Sequence, residues 1–168
     1  MKRTLTKAEM LTLWRYARTA EPLRLDCTVS RTDGTDFDTL LCEEMRAWYL
    51  KQLDEAPEEA LSPEEVVLQA KSTGLYGVTH VVLPDNVRRI LRLRFSGWPA
   101  PLAPDSDAMS VRRHAANPYC RRPMAARISP REVIVCAPKG ELTSVTAITD
   151  PGPDVYTFDD KLLIPITL

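Results

Sequence analysis

The chain has 168 residues, of which 44% are hydrophobic and 27% are charged, a composition typical of a globular protein with a sizeable core. Its formal net charge of −1 and pI of about 6.1 differ from the strongly basic balance of a dedicated nucleic-acid-binding domain. No apolar run approaches the roughly 20 residues that span a bilayer, so we predict no membrane partner. No glycine-rich phosphate-binding motif occurs among the six glycines.

The N-terminal residues and the cysteines indicate a non-secreted protein. Lys7, Glu9 and Arg15 interrupt the segment that would form the apolar core of a signal peptide. The four cysteines are too widely spaced for a CxxC motif, and in a non-secretory context we expect free thiols. We therefore expect a protein that is intracellular or assembled inside a cell.

Three helices are predicted within residues 1–75. The first begins with a capping box formed by Thr6 and Glu9 and continues to about residue 19. The second runs from about residue 36 to 55 with a wide apolar stripe. The third is predicted from Ser62, followed by Pro63 and two acids, to Gly74.

The pattern changes from helix to strand after Gly77. Residues 78–83 are rich in β-branched side chains, and residues 89–95 alternate, with Leu91, Leu93 and Phe95 on one face and arginines on the other. A proline-rich stretch then leads to a charged loop or a short helix around 105–115. Further strands are predicted at 124–129, 132–137, 142–149, 155–158 and 162–168, with a short extended piece at 25–29.

Strands that follow helices indicate an α+β fold. We predict three N-terminal helices followed by a mainly antiparallel β-sandwich or partly open barrel. The predicted division is a helical subdomain at 1–75 and a β-rich subdomain at 76–168, either as two subdomains or around one shared core.

The arginine distribution is the strongest functional signal. Residues 88–131 contain ten arginines and two acids, a net charge of +8, whereas residues 1–75 contain fourteen acids and ten bases. Two interpretations remain open: a surface that binds an acidic partner or nucleic acid, or a solvated strand whose arginines pair with the acids of residues 36–65. The arginines are Arg88, Arg89, Arg92, Arg94, Arg112, Arg113, Arg121, Arg122, Arg127 and Arg131.

Two aromatic residues in proline-flanked loops join this candidate surface. Exposed aromatics beside arginines are typical of protein interfaces. Trp98 alternatively folds back as a lid over the sheet core, and both interpretations stay open for Tyr119. The predicted partner-binding residues are Arg88, Arg92, Arg94, Arg112, Arg113, Arg121, Arg122, Trp98 and Tyr119.

The sequence evidence for a catalytic site is weaker than the evidence for a binding surface. His114 and Cys120 resemble a base and a nucleophile, but nothing in the sequence orients them. Adjacent acids, at 105 and 107 and at 159 and 160, lack a third ligand for a metal. We therefore predict a protein that is not an enzyme and has no cofactor or metal.

Short motifs in the second half resemble the neck or adaptor (head–tail connector, ring) proteins of tailed bacteriophages and prophages. In order they are Gly74-Leu75-Tyr76, Leu83-Pro84-Asp85, Arg89-Ile90-Leu91-Arg92-Leu93, Asn117-Pro118-Tyr119 and Val133-Ile134-Val135-Cys136-Ala137-Pro138. The resemblance implies a non-catalytic subunit of a ring docked on a portal or tail, and it assigns no role to an individual residue.

From this combination we expect a structural or interaction subunit. A protein partner is predicted, including self-assembly into a ring through contacts between an acidic helical face and a basic β-rich face. The alternative is a nucleic-acid-associated module that uses Arg88, Arg92, Arg94, Arg112 and Arg113.

Overall fold

The computed structural model describes residues 1–18 and 36–162. In those ranges the chain forms three α-helices and nine strands whose ladders are antiparallel, which confirms the α+β class. The helices are α1 (Lys7–Arg18), α2 (Phe37–Glu55) and α3 (Ala108–Ala116). The strands are β1 (Lys2–Thr6), β2 (Glu64–Val66), β3 (Ala70–Thr73), β4 (Val78–Val82), β5 (Val87–Phe95), β6 (Met124–Ser129), β7 (Glu132–Cys136), β8 (Leu142–Thr149) and β9 (Val155–Asp159).

The chain divides into two compact units. Unit 1 comprises residues 1–62 and 151–168, and unit 2 comprises residues 63–150. These boundaries differ from the predicted division after residue 75. The reason is strand pairing: β9 returns to pair with β1 in unit 1, while β2 and β3 pair with strands of unit 2.

Unit 1 contains α1, α2 and the β1–β9 ribbon. The predicted capping box is present, since the Thr6 N–H donates to the Glu9 carboxylate at 2.8 Å and the Glu9 N–H donates to Thr6 Oγ1 at 3.3 Å. Aromatic side chains join the helices to the ribbon. Trp14 of α1 lies 5.3 Å from Trp48 of α2, measured between ring centroids, and Trp48 contacts Phe158 of β9 edge to face.

The predicted helix at 62–74 is wrong. Residues 64–66 form β2, which pairs with β8, and residues 70–73 form β3, which pairs with β4. Ser62, Pro63 and the two glutamates are local signals of a helix start. Val66 and Val67 favour a strand, and pairing with β8 and β4 supplies the hydrogen bonds, so tertiary contacts outweigh a weak helix propensity.

Unit 2 contains two sheets, with strand orders β2-β8-β5 and β3-β4-β7-β6. One buried apolar cluster draws on both, with Leu93, Phe95 and Val145 from the first sheet and Val81 and Val133 from the second. The strands of the whole described chain form three separate sheets. The predicted sandwich or partly open barrel therefore stays a prediction.

Helix α3 covers the other face of the four-stranded sheet. Its Val111 is fully buried in a second cluster with Ala126, Ile134 and Cys136. For residues 105–115 the sequence predicted either a charged loop or a short helix. The structure has a helix there. The prediction that all three helices are N-terminal is therefore wrong, because α3 lies between β5 and β6.

The remaining strand predictions agree with the structure. Strands lie at the predicted positions near 78, 89, 124, 132, 142 and 155. In β5, Leu93 and Phe95 are buried while Arg92 and Arg94 are exposed, but a register shift between Ile90 and Arg92 leaves Leu91 half-buried. Strand β1 was not predicted. The predicted element at 25–29 and all but the first residue of the one predicted at 162–168 lie outside the described residues.

Candidate functional site

Most of the arginines in residues 88–131 are not matched by acids. Arg131 forms an ion pair with Asp85, and Arg88, Arg89 and Arg92 have interactions within the chain. The other six side chains are all exposed, and none of them forms an ion pair or hydrogen bond among the described residues. These six are Arg94, Arg112, Arg113, Arg121, Arg122 and Arg127.

The predicted arginines do not form one surface. Arg92 and Arg94 lie on the face of β5 that points away from the shared apolar cluster. Arg112 and Arg113 lie on α3, which covers the four-stranded sheet on its side away from the same cluster. The two groups therefore occupy opposite sides of unit 2.

The structure of α3 explains how its arginines are presented. Ala108, Val111 and Ala115 face the sheet, so the positions between them face outward. Asp107 caps the helix by accepting a hydrogen bond from the Ser110 N–H at 2.9 Å. The Ser110 hydroxyl and N–H both donate to this carboxylate and lower the pKa of Asp107. The exposed side chains of α3 are Met109, Arg112, Arg113 and Ala116.

The loop after α3 extends this surface. Asn117 forms a turn in which its carbonyl accepts the Cys120 N–H at 3.2 Å and its side chain accepts the Tyr119 N–H at 3.0 Å. Tyr119 is thereby presented to solvent, 88% exposed. His114 Nε2 donates to the Arg122 carbonyl oxygen at 2.5 Å, which ties the loop to the helix. We call Met109, Arg112, Arg113, Tyr119, Arg121 and Arg122 the α3 surface.

The position of Trp98 agrees with the interpretation that its ring folds back over the sheet core. Its ring is half-buried and packs against the apolar cluster shared by the two sheets. It also lines, with Arg121 and Lys139, a cavity of about 10 Å³, which has room for about one water molecule. Trp98 is therefore a core residue beside the candidate surface, and the prediction that it contacts a partner gains no support.

The candidate catalytic groups have other contacts. His114 is bonded to the Arg122 carbonyl rather than to Cys120. Asp159 accepts the Lys161 N–H at 3.0 Å and lies 3.1 Å from the N-terminal ammonium; the Lys161 hydrogen bond, followed by the ammonium, lowers the pKa of this carboxyl. Within residues 1–18 and 36–162, no three histidine, cysteine or acidic side chains are grouped as metal ligands.

A groove beside α3 was not predicted from the sequence. It has a volume of about 620 Å³. Arg112 of α3 and Tyr76 both line it, together with Ile128 and with Val78 and Ile134 of the sheet face that α3 covers. The sequence signal that could have located the helix is an Asp107 cap followed by Met109, Arg112, Arg113 and Ala116 at helical spacing.

Comparison of the chain with protein-family models, with curated proteins and with solved structures finds no match. None of the helices in the described ranges has the length and apolar character required to cross a membrane.

Proposed function

We propose that this protein is a non-enzymatic interaction subunit that binds an acidic surface of another protein through the α3 surface. The supporting observation is that the arginine side chains of this surface are exposed and make no ion pair or hydrogen bond among the described residues. Guanidinium groups bind carboxylates in a planar, two-pronged geometry. Four of them lie on the helix and the loop that carries the exposed ring of Tyr119, which is the composition of an interface hot spot.

In its most specific form, the proposal is a head–tail connector ring of a tailed phage or prophage, in the cytoplasm or in the virion. The charges of the two units support self-assembly. Unit 2 has twelve basic and eight acidic residues, a net charge of +4, whereas unit 1 has ten basic and fifteen acidic residues, a net charge of −5. Unlike surfaces that meet head to tail generate rings when the rotation between subunits closes. In such a ring, the acids of residues 36–65 in one subunit would meet the α3 surface of the next.

The second candidate is a nucleic-acid-associated module. The observation in its favour is that Tyr119 and the adjacent arginines combine a stacking platform with phosphate-binding groups. Arg94 on β5 would belong to a separate contact. Because phosphate contacts release counterions, such binding weakens steeply with salt and does not depend on a protein partner.

The test measures assembly of the full chain by analytical ultracentrifugation over a range of concentration and salt. We expect association at low salt that weakens as salt rises. Changing four arginines of the α3 surface to glutamine should abolish it. The substitutions are Arg112→Gln, Arg113→Gln, Arg121→Gln and Arg122→Gln.

The control removes the same number of charges from exposed positions in unit 1 and should still associate. Its substitutions are Lys2→Gln, Lys7→Gln, Lys51→Gln and Lys161→Gln. A chain that stays monomeric at high concentration and low salt contradicts self-assembly. If the chain also fails to bind polyglutamate, the proposal that it binds an acidic protein is wrong. Binding of duplex DNA under the same conditions supports the second candidate.

A further inference from the structure

We propose that the groove beside α3 binds an apolar side chain of an acidic protein segment, with a carboxylate of that segment on Arg112. This inference rests on the proposed function and adds the chemistry of the partner: apolar residues interspersed among acids, rather than acids alone.

The groove is lined mainly by apolar groups and carries one permanent charge among its described lining residues. Ile128 and Tyr76 both line the groove and are 49% and 74% exposed, which are high values for large hydrophobic side chains. Ile134 also lines the groove. Exposed apolar groups gathered in one concavity mark a binding site rather than ordinary surface.

Two further features define what the groove accepts. Arg112 has no ion pair or hydrogen bond among the described residues, whereas His80 of the groove lining lies 3.6 Å from the Glu132 carboxylate, measured from Nε2. The free positive charge of the groove therefore belongs to Arg112. Tyr76 has a left-handed backbone conformation, with φ 59°, and such strained positions are concentrated at binding sites.

A protein segment fits this site better than an isolated small acid, because Arg112 is shared. On α3 it lies beside Arg113, and Tyr119 and Arg122 follow in the tied loop. A segment with one carboxylate on Arg112 can continue its acidic residues along the α3 surface while one apolar side chain fills the groove. The positive charges of Arg112 and the α3 surface thus favour an acidic protein segment as the ligand of the groove.

The test uses short labelled acidic peptides and the full chain, with affinity measured by fluorescence anisotropy at low salt. One series carries a single leucine, isoleucine or phenylalanine, placed at each position in turn. A matched series carries serine instead. We expect the best apolar peptide to bind at least about tenfold tighter than its serine match, the gain that burial of one such side chain provides.

Substitution of the groove should remove this difference. Ile128→Ser, or Tyr76→Gly, which suits the positive φ, should reduce the apolar peptides to the affinity of the serine series. Val67→Ser is the matched control, because Val67 is 83% exposed in the same unit and does not line the groove.

The outcomes separate the two proposals. Equal binding of both series, unaffected by Ile128→Ser, overturns the groove while the acidic-partner proposal stands. Failure of every peptide to bind overturns both. If both groove variants still bind the apolar peptides more tightly than the serine peptides, the groove is not the binding site of the apolar side chain.

Discussion

Gly140 lies where the loops after β5 and β7 approach each other. The Ser96 N–H donates to the Glu141 carbonyl oxygen and the Glu141 N–H donates to Ser96 Oγ, both at 2.9 Å. A Cβ atom at position 140 would lie 2.0 Å from the Ser96 carbonyl oxygen. This close approach requires glycine.

We therefore expect Gly140→Ala to lower the free energy of unfolding by about 2 kcal/mol or more, because backbone atoms must move apart. Gly74→Ala is the control, since its added Cβ would meet no atom closer than 3.5 Å. Urea denaturation of both variants measures the difference. Equal stability of the two would show that the loops separate without cost.

At the scale of elements, each helix start depends on short polar contacts. The Thr6–Glu9 box begins α1 and Asp107 caps α3. The first cap was predicted from the sequence and the second was not. The 62–74 segment carries comparable signals and forms two strands instead. A cap fixes where a helix starts only if the residues after it find no better partners in a sheet.

The Asp107 cap predicts a dependence of stability on acid. The pKa of Asp107 is lowered from its ordinary value of 3.8 by hydrogen bonds from Ser110. The unfolded chain thus binds a proton at a higher pH than the folded chain. The stabilisation is complete above about pH 5 and is lost as pH falls through the lower folded pKa.

Asp107→Asn keeps an oxygen acceptor but does not titrate, so its unfolding free energy should fall less steeply between pH 5 and pH 2.5 than that of the unsubstituted chain. Asp107→Ala should be less stable at pH 7. Urea unfolding across this range provides the measurement. The lowered pKa values of Glu9 and Asp159 are shared by both proteins, so identical acid slopes would contradict the role of Asp107.

At the scale of the whole molecule, the unmatched arginines should contribute to binding and not to folding. Exposed residues without partners change stability by about 0.5 kcal/mol or less when substituted. The fourfold arginine-to-glutamine variant of the α3 surface should therefore unfold at nearly the same urea concentration as the unsubstituted chain. A loss of several kcal/mol would mean that these guanidinium groups stabilise the fold, which removes the basis of the proposed function.

Local sequence was sufficient for α1, α2 and most strands of unit 2, because their apolar periodicity and caps act over a few residues. The charge contrast between the two parts of the chain was also readable, since it is a matter of composition. Tertiary structure alone decided three things: that residues 64–66 and 70–73 form strands, that β1 pairs with β9, and that the arginines lie on opposite sides of unit 2. Each depends on which segments meet in space, and contacts between residues far apart in the chain leave no local pattern to read.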